Sequence, residues 1–166
     1  MRAATPDDAA VFEQFECGAS GNLWDVEVER QVQDKLTEWT FRGTAAAQQD
    51  SQALLVLTQP TGEAVAIAAY ERYGKLGIGA ERFEAVRLYA LAVANEWQGR
   101  TFDDGERVSH VLMSAVLGDI SDRYPGHRVF GRVHKDNVRS LALLRAFEFV
   151  VYAPTSGDDY VYVTTQ

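Results

Sequence analysis

Apolar residues at Val28, Val32, Leu36 and Trp39 recur at spacings of four and three, with charged residues between them. That period predicts an amphipathic helix over residues 24–39. A second stripe, Val108, Val111, Leu112, Ala115, Val116 and Ile120, predicts a helix over 104–123 that Tyr124-Pro125-Gly126 ends. An earlier helix is announced by Thr5-Pro6-Asp7-Asp8: Thr5 can cap, Pro6 suits the first helical position, and Asp8 favours the positive end. It should run to about Glu16 and stop near Gly18. Residues 137–147 form the last predicted helix. Between the helices lie strand-sized apolar runs at 2–4, 53–58, 64–70, 83–93, 128–134, 149–153 and 160–164. Gln59-Pro60-Thr61-Gly62 is a turn signal that joins 53–58 and 64–70 as an antiparallel hairpin. Residues 73–82, with Gly74, Gly77 and Gly79, read as a flexible connection, and 45–52 as a surface loop. Apolar residues occupy both faces toward the end of 83–93, so this strand should be central in its sheet.

The resulting order, β-α-α-β-β-β-α-β-α-β-β, predicts an α/β or α+β three-layer domain spanning 1–166. Its 166 residues fit one domain, and 46% apolar with 24% charged residues is ordinary for a globular chain rather than a disordered one. The charge balance narrows function. Sixteen Lys and Arg stand against 24 Asp and Glu, for a net charge of -8, which argues against nucleic-acid binding and suits a cationic substrate. Cys17 is the single cysteine, so neither an intrachain disulfide nor a cysteine metal cage is expected, and no basic cluster near it would activate the thiol. His110, His127 and His134 fall in different elements at no metal-ligand spacing, so no metal is expected. Without a leader-like start or an apolar run of about 20 residues, a soluble, cytoplasmic protein is expected, with no membrane partner. Gly74–Gly79 lacks the strand–helix frame of a dinucleotide fingerprint.

Two stretches carry sharper information. The first is Leu91-Ala92-Val93-Ala94-Asn95-Glu96-Trp97-Gln98-Gly99-Arg100, a strand running into a polar turn and then a helix. Such a unit offers backbone N–H donors and a positive dipole end to a diphosphate. The second is Val133 through Asn137-Val138-Arg139-Ser140 to Leu143-Leu144-Arg145-Ala146-Phe147-Glu148-Phe149. On these stretches and on its element order, nearly the whole chain resembles the GCN5-related N-acetyltransferase (GNAT) superfamily. The resemblance implies the acyl-CoA N-acyltransferase fold, with a mixed, mostly antiparallel sheet flanked by helices. It also implies acetyl-CoA as co-substrate, an amine acceptor, and direct transfer in a ternary complex. By the same resemblance the coenzyme's amide arm lies near Leu91, Ala92, Val93, Asn137 and Ser140. Its diphosphate lies over Gln98, Gly99, Arg100, Thr101, Gly105 and Arg107.

The chain departs from the family pattern at several of these places. Thr101 and Asp103 stand where the family's loop has glycine or alanine, and Asp103 and Asp104 put negative charge near the diphosphate. A short insertion, Phe102-Asp103-Asp104-Gly105, accounts for the late start of the following apolar stripe. Gly105 would then restore backbone freedom, with Arg100 and Arg107 offsetting the acids. Asp103 and Glu106 alternatively form a capping box, and Asn137 an ordinary N-cap. The family's general acid, a tyrosine, falls at Leu144, its glycine before Phe149 at Glu148, and its base on the central strand at Arg87. Tyr89, two residues on and on the same strand face, is the remaining candidate for handling a proton, though a core role competes. The backbone N–H near Ala92–Val93 could polarise the thioester carbonyl. Asp25, Glu84 and Glu96 are candidate amine-binding acids, with solvated surface charge as the competing reading. The rival function is a degenerate GNAT-fold domain that serves as a binding or interaction module. Exposed edge strands such as 160–164 could pair in a homodimer.

Overall fold

The computed structural model describes residues 1–18, 21–36, 51–78, 81–153 and 157–166. Seven strands form one sheet in the order β1-β2-β3-β4-β5-β7-β6. They are β1 (Arg2–Ala3), β2 (Gln52–Thr58), β3 (Ala64–Ile78), β4 (Glu81–Val93), β5 (Arg128–His134), β6 (Val150–Tyr152) and β7 (Tyr160–Thr164). All neighbours are antiparallel except β4 and β5, which are parallel. Among the described residues the helices are α1 (Ala9–Glu13), α2 (Leu23–Arg30), α3 (Val108–Arg123) and α4 (Val138–Ala146), with 3-10 turns at Pro6–Asp8 and Asn95–Trp97.

Alternation along the central strands, broken at the β-bulge in β4, splits the core into two layers. Leu55, Ala68, Tyr70 and Val86 pack with Leu112, Met113, Val116 and Ile120 of α3 and with Leu141 and Leu144 of α4. Val56, Ile67, Ala69, Ala90 and Ala92 face the other way, onto Phe12, Phe15, Cys17 and Val32. Small alanines in β3 and β4 let helices approach both faces closely, which is why these strands read as nearly continuous apolar runs. The fully buried Tyr70 keeps its hydroxyl satisfied by donating to the Asp119 carboxylate on α3. Burial and that acid push its phenol pKa up.

Several sequence expectations change. Residues 160–164 are not an edge strand, because β7 lies between β5 and β6 and is paired on both sides. Residues 73–78 and 81–82 belong to strands rather than to a connection, because β3 and β4 stay paired out to Ile78↔Glu81; positions 79–80 lie outside the described residues. Gly74 serves the pairing, at a register shift with φ 89°, while the Arg82 guanidinium lies across Gly77 where a Cβ would displace it. The first helix is short, ending at Glu13 rather than Glu16. Thr5 does not cap it through its hydroxyl; instead the buried Asp8 carboxylate accepts from the Thr5 N–H at 2.7 Å and takes both Arg2 nitrogens at 2.7 and 2.6 Å. The second helix is α-helical only to Arg30 and continues as a π-helix over Gln31–Leu36, while its predicted end at Trp39 lies outside the described residues. The third starts at Val108 rather than 104, because the residues before it form a turn of their own.

Candidate functional site

The parallel contact between β4 and β5 is only three pairs long: Ala85↔Arg128, Val86↔Val129 and Arg87↔Phe130. Beyond it the two strands share no pair, so the sheet forks along its centre. A β-bulge in β4 sits at the vertex. Tyr70 pairs with Leu88 and Ala69 with Ala90, which leaves Tyr89 without a partner in β3. A bulge bends its strand and raises the local twist, here parting β4 from β5. It also reverses the alternation, so that Tyr89 and Ala90, consecutive in sequence, both pack toward the α1–α2 layer. On β5, Gly131 lies beside the vertex, and a Cβ there would meet the Leu88 carbonyl oxygen at 3.4 Å and a Val163 methyl at 3.6 Å, ordinary packing distances.

The fork opens into a cleft of about 210 Å³. One side is α2, through Trp24, Glu27, Val28 and Gln31, and the other is α4, through Asn137, Ser140, Leu143 and Leu144. Its floor is β4 from Arg87 to Leu91, and β5 and β7 close it with Arg132, His134 and Tyr160. The β4 edge facing β5 carries backbone groups that no strand satisfies, a ready partner for an amide-bearing chain.

Charged side chains in the cleft are largely engaged. Arg87 pairs with Glu71 at 3.4 Å and lies 4.9 Å over the Tyr89 ring. Arg132 pairs with Asp158 at 3.7 Å and lies 4.7 Å over Tyr160. At the α2 end, His134 stacks on Trp24 with centroids 4.7 Å apart and meets Tyr160 edge-on at 5.4 Å. The Tyr160 hydroxyl donates to the Glu27 carboxylate, and that bond raises the phenol's pKa.

The segment after β4, residues 94–107, is held from below. The Gln98 side-chain amide donates to the Cys17 carbonyl at 2.7 Å and to the Val93 carbonyl at 3.2 Å, so its end points inward. Cys17 and Gly18 N–H groups both donate to Glu29 of α2 at 2.8 Å, which ties the loop to the α2 layer. Thr101 and Arg107 face each other in an isolated bridge, flanked by Phe102 N–H to Glu106 O at 2.8 Å and Val108 N–H to Arg100 O at 3.2 Å. The chain reverses between them over Phe102–Gly105, with Gly105 at φ 86°. These four residues, read above as an insertion, form a turn of their own. The capping box is corrected: Arg107, not Asp103, occupies the N-cap of α3 with no side-chain bond, and Asp104 accepts from the Glu106 N–H at 3.0 Å instead. Among the described residues, the backbone N–H groups of Gly99, Thr101 and Arg107 have no protein acceptor. In a pair bonded this way the Thr101 and Arg107 N–H groups point outward on opposite sides, so an anion can meet Gly99 and Thr101, with Arg100 between them, but not Arg107 N–H as well.

Tyr89, Leu91, Asn137 and Ser140 therefore meet in one cleft. Ala92 is buried in the α1–α2 layer and Val93 packs on the α3 layer, while Gln98, Gly99, Arg100, Thr101, Gly105 and Arg107 lie in the adjoining loop. Asn137 is the N-cap of α4, accepting from the Ser140 N–H at 3.1 Å. Asp25, Glu84 and Glu96 line no part of the cleft. Leu144 is buried, and Glu148 takes the left-handed conformation that the family's glycine would hold, at φ 61°. Sequence reasoning missed Trp24, Glu27, Arg132 and Tyr160. Trp24, Glu27, Val28 and Gln31 share one helix face by their spacing, but nothing in the sequence says that this face meets β7. Among the described residues no group of three or more His, Cys, Asp or Glu could hold a metal, and no helix is long and apolar enough to cross a membrane.

No protein-family model matches the sequence, and no curated protein matches it. Solved structures do match its shape. The PaiA N-acetyltransferase of Thermoplasma acidophilum, solved in complex with coenzyme A, is 13% identical with a TM-score of 0.69, over 99% of this chain and 96% of that one. The ribosomal-protein-alanine N-acetyltransferase of Brucella melitensis is 19% identical with a TM-score of 0.61, over 98% and 95%. An acetyltransferase from Thermus thermophilus is 16% identical with a TM-score of 0.62, over 98% and 92%. The chain has the fold of the GNAT acetyltransferases.

Proposed function

We propose that this GNAT-fold chain is an acetyl-CoA-dependent N-acetyltransferase that acts on a small-molecule or peptide amine by direct attack in a ternary complex. The forked sheet carries the reading. The parting of β4 and β5 after three pairs opens a cleft from the α2 layer to the α4 layer, so donor and acceptor can enter from opposite faces and meet at the bulge. On the α4 side, the exposed β4 edge through Leu91, Ala92 and Val93 would hold the amide arm, with Asn137 and Ser140 beside it. Gly99 and Thr101 would offer N–H groups to the diphosphate, with Gln98 holding the loop in place and Gly105 turning the chain that follows. Arg100 and Arg107 supply positive charge.

The coenzyme brings an activated acetyl thioester; the chain's own work is to align it, polarise its carbonyl and handle protons. Backbone N–H groups near Ala92–Val93 are suited to the carbonyl, because a fixed dipole costs no reorganisation when charge develops. Tyr89, re-aimed by the bulge, is the proton-handling candidate on the strand. An acceptor that arrives as a cation suits the acidic chain.

Calorimetric titration with acetyl-CoA, with desulfo-coenzyme A as control, tests the reading. Saturable micromolar binding is the expected result, followed by amine-dependent thiol release. Absence of binding up to millimolar would leave the fold as an interaction module, a role that Leu144 and the acidic loop would then explain.

A further inference from the structure

The family-like positions for a base and an acid hold Arg87 and Leu144, neither of which can take a proton from an ammonium at neutral pH. A carboxylate nevertheless stands in the cleft. Glu27, on α2, receives the Tyr160 hydroxyl at one oxygen and the Gln31 side-chain amide at the other, 3.3 Å away. Both donors are neutral, and among the described residues no cation pairs with Glu27. The two arginines that line the same cleft are paired elsewhere, Arg87 with Glu71 and Arg132 with Asp158. Each carboxylate oxygen keeps acceptor capacity beyond the bond it already has. Around it stand the rings of Trp24, His134 and Tyr160, and aromatic faces add to a carboxylate's attraction for an ammonium.

We infer that Glu27 docks the acceptor as an ammonium and takes its first proton, and that Tyr160 is the positioning residue that aims the carboxylate. The inference rests on the acetyltransferase reading and deepens it: the acceptor class is a primary amine basic enough to arrive charged. The ammonium gives one proton to the Glu27 carboxylate, which later passes it to solvent. The freed nitrogen lone pair forms the bond to the acetyl carbon, and the carbon–sulfur bond breaks with its electron pair on sulfur. The nitrogen's second proton ends on that thiolate, leaving the amide and the free thiol.

The test compares wild type with Glu27→Gln and Tyr160→Phe on a panel of primary alkyl and aralkyl amines and short peptides with free amino termini. Each active amine is paired with its β-difluorinated counterpart, which is similar in shape but neutral at assay pH. Glu27→Gln should lose roughly 10²–10⁴-fold in kcat/KM on basic amines and under about tenfold on the fluorinated ones, while acetyl-CoA affinity stays within about twofold. Tyr160→Phe should fall between and keep the same dependence on basicity. It also covers the case in which Glu27→Gln fails to fold. Equal activity of wild type and Glu27→Gln overturns the inference, as does a loss independent of amine basicity, which marks a merely structural role. Wild type that binds acetyl-CoA but acetylates nothing in the panel overturns it too. Wild type that binds no acetyl-CoA sinks the acetyltransferase reading and this inference with it.

Discussion

Glu148 holds a backbone conformation that L side chains resist. It is the residue after the C-cap of α4, at φ 61°, in a double-bonded helix stop: Phe149 N–H to Leu144 O and Glu148 N–H to Arg145 O, each at 3.0 Å. Glycine would keep both bonds without crowding at Cβ. Glu148→Gly should therefore stabilise the protein by about 1 kcal/mol in denaturant unfolding, and a loss of stability would show that the glutamate side chain makes a stabilising contribution of its own. Asp8 works in the opposite sense. Its hydrogen bonds with Arg2, opposed by burial and helped by Thr5, hold the carboxyl down at about 2 against an ordinary 3.8. A carboxyl lowered by folding stabilises fully above its unfolded pKa, and that contribution drains away as pH falls from about 4 toward about 2. Asp8→Asn should cost about 1–2 kcal/mol at neutral pH, with the partly exposed Arg2 setting the low end. It should also flatten the acid limb of a stability–pH curve in that window.

At the scale of an element, the loop between β4 and α3 carries a turn that bears directly on the proposed diphosphate site. The turn at Phe102–Gly105 projects Asp103 and Asp104 while the bridge at Thr101 and Arg107 closes beneath it. Both acids are exposed and neither caps α3. Neutralising them together as Asp103→Asn and Asp104→Asn should leave the melting temperature nearly unchanged and tighten acetyl-CoA binding several-fold at low salt, with the gain shrinking as salt rises. An unchanged affinity would place the diphosphate elsewhere. The loop's lower anchor makes Cys17 a reporter. Burial, with Glu29 and Asp25 nearby, pushes its thiol up to about 12, so the folded protein should not react with a thiol reagent at pH 8. Labelling should keep pace with global unfolding in denaturant. Labelling well ahead of it would mean that the α1–α2 layer opens by itself.

For the whole molecule, the decisive feature is that α2, β4, β5, α4 and β7 all reach one cleft although they span nearly the length of the chain. A bulky residue at the α4 wall should block it without touching the core. Ser140→Trp, at a half-buried position whose backbone N–H already serves the N-cap, should abolish acetyl-CoA binding by calorimetry while thermal unfolding stays close to wild type. Retained binding would move the coenzyme's arm off that wall.

Period and punctuation in the sequence determined most of the elements and the central place of β4, because burying an apolar stripe is a local demand written at intervals of two or 3.6 residues. It was the resemblance to the acetyltransferase superfamily, and not period, that singled out Leu91, Asn137 and Ser140, with strand alternation adding Tyr89; the structure brings these four to one cleft. The sequence alone made a loose link of residues 73–82, since glycine lowers any local preference for strand; cross-strand pairing overrode that preference. Only the tertiary structure decided where the sheet forks, since the fork sits at the bulge opposite Ala69 and Tyr70, where β4 and β5 cease to pair. Only it joined Glu27 to Tyr160 across 133 positions of chain, because a contact between distant side chains is fixed by how layers pack and leaves no period to read.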